Sequence, residues 1–255
     1  MNILYIAQFH ETCGYSHAAI GYLKSLDHVL KNHPNINLKI LSVSTDLAKL
    51  NIAYHNDKTS VDTLGLIEKY HISSQYELEC FTTLDYKCIW HMTSVLPIIF
   101  KRPGVENFYN GIKASTENLI KGATQNYHIL AWETDEIPQE YKSAIRNYKP
   151  ELVITPSQWN TQTVNKFYKA ATVPHLIEGN KLNQESVPLP QGYEDKFVVL
   201  SVSEWTYRKN FEGLLKSFIS EFYDNDEVML IVKTSPPPGA KKEDLINKVK
   251  QLKAS

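Results

Sequence analysis

The sequence predicts an α/β chain in which strands and helices alternate twice, once over residues 1–172 and again from residue 197. Three observations carry this expectation. Short apolar runs rich in β-branched residues, the first over residues 3–7, fit strands buried on both faces of a parallel sheet. Amphipathic segments follow such runs, with Ala19, Leu23, Leu26 and Leu30 recurring at helical spacing after the first. A stretch punctuated by Pro174, Gly179, Pro188, Pro190 and Gly192 then separates the two alternations.

Taken in order, the strand over 3–7 and its helix are followed by Pro34, which stops the helix, and by a second apolar run over 38–43. This is a β-α-β opening, whose crossover is expected to be right-handed. Residues 45–85 are polar and weakly periodic, and a helix is expected only around 61–70. Strands are expected at 87–91, 127–131 and 152–155. A helix over 138–147 starts on a proline, which a first turn tolerates, and Ser157 is placed to cap a helix running to about residue 168. After the punctuated stretch, residues 197–202 form a strand and Phe211, Leu214, Leu215, Phe218 and Phe222 a helical stripe. A strand over 228–232 and a helix over 241–253 complete the pattern, and no short-period repeat is present. Two β-α-β openings joined by a linker predict two Rossmann-like domains. The expected boundaries are a first domain over 1–172, a linker over 173–196 and an incomplete second domain over 197–255. Two strands and two helices are too few for a doubly wound domain, so the chain is expected to be a fragment of a longer protein.

With 255 residues the chain is long enough for a substantial core. Its 27 basic and 28 acidic residues leave no global field to draw it to nucleic acid or an anionic membrane, so any charged site must be local. Cys13, Cys80 and Cys88 are odd in number and lack metal-type spacing, which argues against a disulfide scaffold and for a reducing, cytoplasmic setting. The amino terminus has no basic region before its short apolar run and reads as a first strand, not a signal peptide. No apolar run approaches the roughly 20 residues of a spanning helix. Peripheral membrane contact is left open, since it needs only a surface patch.

Four groups of residues are placed where ligands bind in open α/β sheets, at the carboxyl ends of strands. The loop over 11–17 contains Gly14, Ser16 and His17; Gly14 serves either a tight turn or the close approach of a phosphate to a helix start. His91 follows the third strand and His10 the first, where an imidazole can bond a sugar or phosphate, although structural or merely exposed roles are the commoner ones. In the run Trp132-Glu133-Thr134-Asp135-Glu136, Glu133 is the cleft candidate, while Asp135 and Glu136 are expected to favour the start of the next helix. Arg208 and Lys209 lie between a strand and a helix start, where the helix dipole already disfavours cations. An arriving diphosphate would satisfy both, Arg208 as a planar fork and Lys209 as a point charge; a solvated surface pair is the alternative. The sequence has no HExxH, CxxC, GxSxG or P-loop pattern, which disfavours zinc hydrolysis, α/β-hydrolase chemistry and Walker-type nucleotide hydrolysis.

At these residues the chain resembles the retaining glycosyltransferases of the family 4 type, which have the GT-B fold. The match is strongest over FVVLSVSEWTYRKNFEGLLKSFISEF, residues 197–222, and extends to MNILYIAQFHETCGYSHAA, HILAWETDEIPQEY and ELVITPSQWNTQTV, in the family's order. The resemblance implies two Rossmann-like domains facing a cleft, with a nucleotide-diphosphate sugar as donor and a glycan or lipid as acceptor. It further implies a hexosyltransferase-type reaction in which Lys209 and Arg208 neutralise the departing diphosphate, with Gly14 near the same phosphates. No metal or organic cofactor is expected, and no nucleic-acid partner. The chain departs from the pattern at Ser203-Glu204, where the family commonly has Gly-Arg, and at Asn210, where it has glycine. The family's pair of glutamates seven residues apart is expected beyond Ser255. Two other readings are a truncated, catalytically inactive binding or scaffold protein and a nicotinamide-dependent dehydrogenase. The dehydrogenase is disfavoured by the absence of GxGxxG at either strand–helix junction.

Overall fold

A computed structural model describes residues 1–10, 13–43, 60–92, 106–108, 111–177, 193, 195–222, 227–234 and 241–254. By its contacts the chain divides into two units, Met1–Gly179 and Asn180–Ser255.

The first unit is a Rossmann-like α/β layer structure. Its main sheet contains β1 (Asn2–Ala7), β2 (Asn37–Ser42), β3 (Tyr86–His91), β6 (Gln125–Ile129), β7 (Leu152–Thr155) and β8 (Ala170–Thr172). All five pairings are parallel and the order is β2-β1-β3-β6-β7-β8. β4 (Glu106–Asn107) and β5 (Lys113–Ala114) form a separate antiparallel ladder. The flanking helices are α1 (Gly14–Leu30), α2 (Ser60–Tyr70), α3 (Gln75–Thr82), α4 (Thr116–Gly122), α5 (Gln139–Tyr148) and α6 (Gln158–Asn165). The run of apolar residues in β1 is explained by burial on both faces. Leu4 and Ile6 pack with Cys88, Trp90, Ala144 and Tyr148, while Tyr5 and Ala7 pack with Ala19, Ile20, Leu23 and Ile67. The chain leaves β1 for β2 on one side and returns to β3 on the other. The strand order therefore reverses at β1, the kind of switch point beyond which ligands bind in open α/β sheets.

Local chemistry sets the helix ends. Ser74, Ser115 and Ser157 each accept a bond from a backbone N–H in the first turn of α3, α4 and α6. α6 stops at Asn165, short of the expected end near residue 168; there the Phe167 N–H turns back to Val164 O in a tighter bond that spans three residues instead of four. Five elements had no sequence signal: α3, α4, β8 and the two-residue strands β4 and β5. α3 buries only Leu78 and Phe81, α4 is seven residues long, and β8 is a half-buried edge strand of sequence Ala-Ala-Thr. Beyond β8 the chain packs back on α1: Tyr22 donates to Val173 O at 2.8 Å, and a Cβ added at Gly21 would lie 3.2 Å from that of Leu176.

The second unit pairs β9 (Phe197–Val202) with β10 (Val228–Lys233) in parallel, with α7 (Phe211–Phe222) and α8 (Lys242–Ala254). Phe211 and Leu215 are buried, but Phe197, Leu200 and Val202 of β9 are exposed. Among the described residues of both units, no helix is long and apolar enough to cross a membrane.

Candidate functional site

The switch point of the first unit is flanked by the segments just beyond β1, β3 and β6. After β1, Gln8, Phe9 and His10 stay buried, and α1 begins at Gly14. Its N-cap, Cys13, makes no side-chain capping bond, and the first turn carries no acidic residue. The helix start therefore keeps its partial positive charge. Gly14 does not have positive φ, unlike Gly111, and among the described residues nothing lies within 4 Å of a Cβ added there. A tight turn is thus not what requires glycine at this position. Ser16, two residues on, is fully buried, and its hydroxyl has no hydrogen-bond partner among the described residues. Such a hydroxyl costs free energy unless something arrives to bond it.

His91, the last residue of β3, is 1% exposed. Its Nδ1 lies 2.9 Å from the Tyr5 hydroxyl, and the rings of Tyr15 and Tyr22 stand 5.5 and 5.7 Å away. His175 adds a further ring 5.7 Å from that of Tyr22. Burial, with His128 and His175 as lesser causes, lowers the His91 pKa to about 3. The imidazole is therefore neutral near pH 7 and acts as a polar but uncharged group. Tyr15 reaches across to donate to Ala131 O at 3.3 Å. Burial, then the neighbouring Glu133, raises its pKa to about 12.

The histidines that sequence reasoning grouped together separate here. His10 belongs to the floor, its Nδ1 2.8 Å from Ser42 Oγ and its ring 5.8 Å from that of His71. Burial and then His71 lower its pKa to about 4. His17 is exposed on α1. His128 had no sequence signal beyond its place in an apolar strand. It stacks on Trp90 at 3.5 Å and donates from Nε2 to Met92 O at 3.0 Å.

Beyond β6, Trp132 ties a turn together. Its indole N–H lies 2.8 Å from Thr134 Oγ1 and 3.0 Å from Glu136 O, while Asn160 Nδ2 donates to its carbonyl. Glu133 is exposed at this edge. Asp135 and Glu136 are not at the capping position of α5, contrary to expectation: Pro138 is its N-cap and makes no side-chain capping bond. The Trp132 turn engages the Glu136 carbonyl, and the Glu136 carboxylate lies 3.7 Å from Lys142 Nζ within α5.

In the second unit, Arg208 and Lys209 occupy a 3-10 turn (Tyr207–Lys209) that links β9 to α7, and both are exposed. Asn210 follows at φ 50°, a left-handed conformation that asparagine and glycine tolerate better than other residues. Its Oδ1 accepts from Gly213 N at 3.2 Å and caps α7. A Cβ at Gly213 would come within 2.5 Å of the Asn210 side chain, so these two residues form one device that sequence reasoning missed. The sequence signal was an asparagine three positions before a glycine at a helix start.

Among the described residues, no group of three histidine, cysteine or acidic side chains is arranged to hold a metal ion. Comparison with models of known protein families gives no match, and comparison with curated proteins gives none either.

Proposed function

We propose that this chain belongs to a retaining glycosyltransferase of the GT-B type, which moves a hexose from a nucleotide-diphosphate sugar to a glycan or lipid acceptor. The observation that carries the reading is the Arg208–Lys209 turn: two consecutive cations between the carboxyl end of a parallel strand and a helix start. In the reaction the bond between the anomeric carbon and the diphosphate oxygen breaks, and its electron pair leaves with the nucleoside diphosphate. Lys209 and Arg208 meet the charge that develops on that oxygen, a contribution that grows toward the transition state. The acceptor hydroxyl bonds the anomeric carbon on the face the diphosphate left, and its proton passes to the departing phosphate.

The first unit supports the same reading. Its switch point joins a helix start whose N-cap makes no side-chain bond, the Ser16 hydroxyl, which has no partner among the described residues, and the neutral His91, with Gly14 clear of other described atoms and Glu133 exposed nearby. These groups fit phosphate and sugar hydroxyls.

One observation favours the alternative of an inactive binding module. Glu204 places an exposed carboxylate just after β9, on the edge where an anion would arrive. Two measurements separate the readings. Titration with nucleoside diphosphates should give saturable binding, which Lys209→Ala weakens by about 1–3 kcal/mol, the range for charge-assisted hydrogen bonds. Unchanged affinity in a folded variant removes the diphosphate assignment. Binding without sugar transfer, across a panel of glycan and lipid acceptors, moves the conclusion to the inactive module.

A further inference from the structure

Just beyond β6, the Leu130 N–H bonds Ile154 O of β7 at 2.9 Å. The next rung of this parallel ladder would need the N–H of residue 156, and Pro156 has none. Two residues past Leu130, a side chain takes the place of the strand. Asn160, in the first turn of α6, faces the Trp132 backbone and makes both of the bonds that a neighbouring strand would make. The Trp132 N–H donates to its Oδ1 at 3.2 Å, and its Nδ2 donates to Trp132 O at 2.6 Å. Asn160 is 4% exposed, and its own backbone N–H is fixed by the Ser157 cap. Aspartate would have no donor for Trp132 O, and glutamine is one methylene longer.

The residue so held fixes the rest of its segment. The Trp132 ring meets Tyr141 of α5 at 4.9 Å, and its indole N–H reaches Thr134 Oγ1 and Glu136 O. The Tyr15 hydroxyl donates to Ala131 O, and Lys166 Nζ donates to Asp135 O at 3.0 Å. These bonds tie residues 131, 132, 134, 135 and 136. Glu133 stands in their midst as an exposed residue, close enough to Tyr15 for its charge to act on the phenol.

We propose that Asn160 is a positioning residue: by pairing with the Trp132 backbone it fixes the segment that presents Glu133 to the hydroxyls of a bound sugar. A carboxylate on a loose segment would have to be ordered at each binding event, and that cost is removed when the segment is already fixed. The inference rests on the reading of Glu133 as a sugar-binding group. It adds to that reading the residue that holds Glu133 in place, whose amide is engaged by the backbone and not by ligand.

Two measurements on the full chain test it. The first needs no ligand: a nitroxide label at position 133 (Glu133→Cys), with Cys13→Ser and Cys80→Ser, since Cys88 is buried. The label is expected to give an immobilised spectrum. Asn160→Ala should lose the immobilised component, and Asn160→Asp, which keeps the acceptor for the Trp132 N–H, should fall between. Thr161→Ala is the control. It removes hydroxyl bonds to Thr155 and Thr172 at the same helix start, and should lower the unfolding midpoint without freeing the label. An unchanged spectrum in Asn160→Ala overturns the proposal, and so does a label freed equally by Thr161→Ala. If Asn160→Ala does not fold, Asn160→Asp decides by the same criterion. The second measurement is saturation-transfer NMR with the methyl glycosides of glucose, galactose and mannose, on the chain with Glu133 in place. A glycoside that responds should lose its response in Glu133→Ala and in Asn160→Ala, and keep it in Thr161→Ala. Loss in Glu133→Ala alone overturns the proposal. No response from any glycoside, with the label freed by Asn160→Ala, overturns instead the sugar-binding reading of Glu133.

Discussion

The Tyr5 hydroxyl lies 2.9 Å from His91 Nδ1 and ties β1 to β3 where the strand order reverses. Tyr5 is in register with Ile89, so His91 stands two residues further along the same face. Both side chains are buried, and the tyrosine ring also meets Phe9 edge-on at 5.2 Å. Tyr5→Phe should keep that packing and leave the buried imidazole nitrogen unpaired. The expected loss is about 1–3 kcal/mol, the usual cost of stranding a buried polar atom. Urea unfolding measures it, and a midpoint equal to that of the unaltered chain would show that the bond adds nothing.

The buried histidines make the fold sensitive to acid. The pKa values of His10, His91 and His128 are lowered to about 4, 3 and 3, with burial the largest cause in each. In the unfolded chain each titrates near 6.5. Below that value the unfolded state binds more protons, so stability falls as pH drops. The stabilisation is complete above about pH 6.5 and is lost progressively toward about pH 3. With all three acting, the slope approaches about 4 kcal/mol per pH unit within that window. Glu77, lowered to about 2, adds a further loss below about pH 4.5. Unfolding midpoints at pH 7, 6 and 5 should fall steadily, and a flat profile would contradict the buried neutral histidines.

Asn210 and Gly213 make a prediction about the Arg208–Lys209 turn itself. Asn210→Ala removes the cap on α7 and places an alanine at φ 50°. The expected cost is about 1–2 kcal/mol from the lost cap and the strained backbone. Asn210→Gly accepts the same backbone and should cost only a few tenths of a kcal/mol. Equal destabilisation by the two substitutions, read by thermal unfolding, would mean that φ at this position is not the constraint.

The parallel sheet was legible because strands buried on both faces write themselves as apolar runs, as residues 3–7 and 152–155 do. Elements with little burial left no such pattern. β8 is a half-buried edge, and α3 buries two side chains in eight residues. The sequence also marked the ends of β1, β3 and β6 as the places for candidate residues, because topology puts ligands there. It did not distinguish His91, bonded to Tyr5, from His10, bonded to Ser42, or from the exposed His17. Those differences arise from contacts between residues 32 to 86 positions apart in the chain, which no local spacing encodes.

Ser16 offers a test in which stability and binding move in opposite directions. Its hydroxyl is fully buried at the start of α1 and has no partner among the described residues. Ser16→Ala should therefore leave the unliganded chain as stable as before or up to about 1 kcal/mol more stable, since an unmade buried bond is removed. If the hydroxyl is kept to meet a phosphate oxygen, the same substitution should weaken pyrophosphate binding by about 1 kcal/mol, the worth of an ordinary hydrogen bond. Unfolding without ligand and titration with pyrophosphate give the two values independently. Higher stability with weaker binding marks the α1 start as an anion site, because a hydroxyl with only a packing role would change stability alone. Higher stability with unchanged binding assigns Ser16 to the core and removes it from the proposed site.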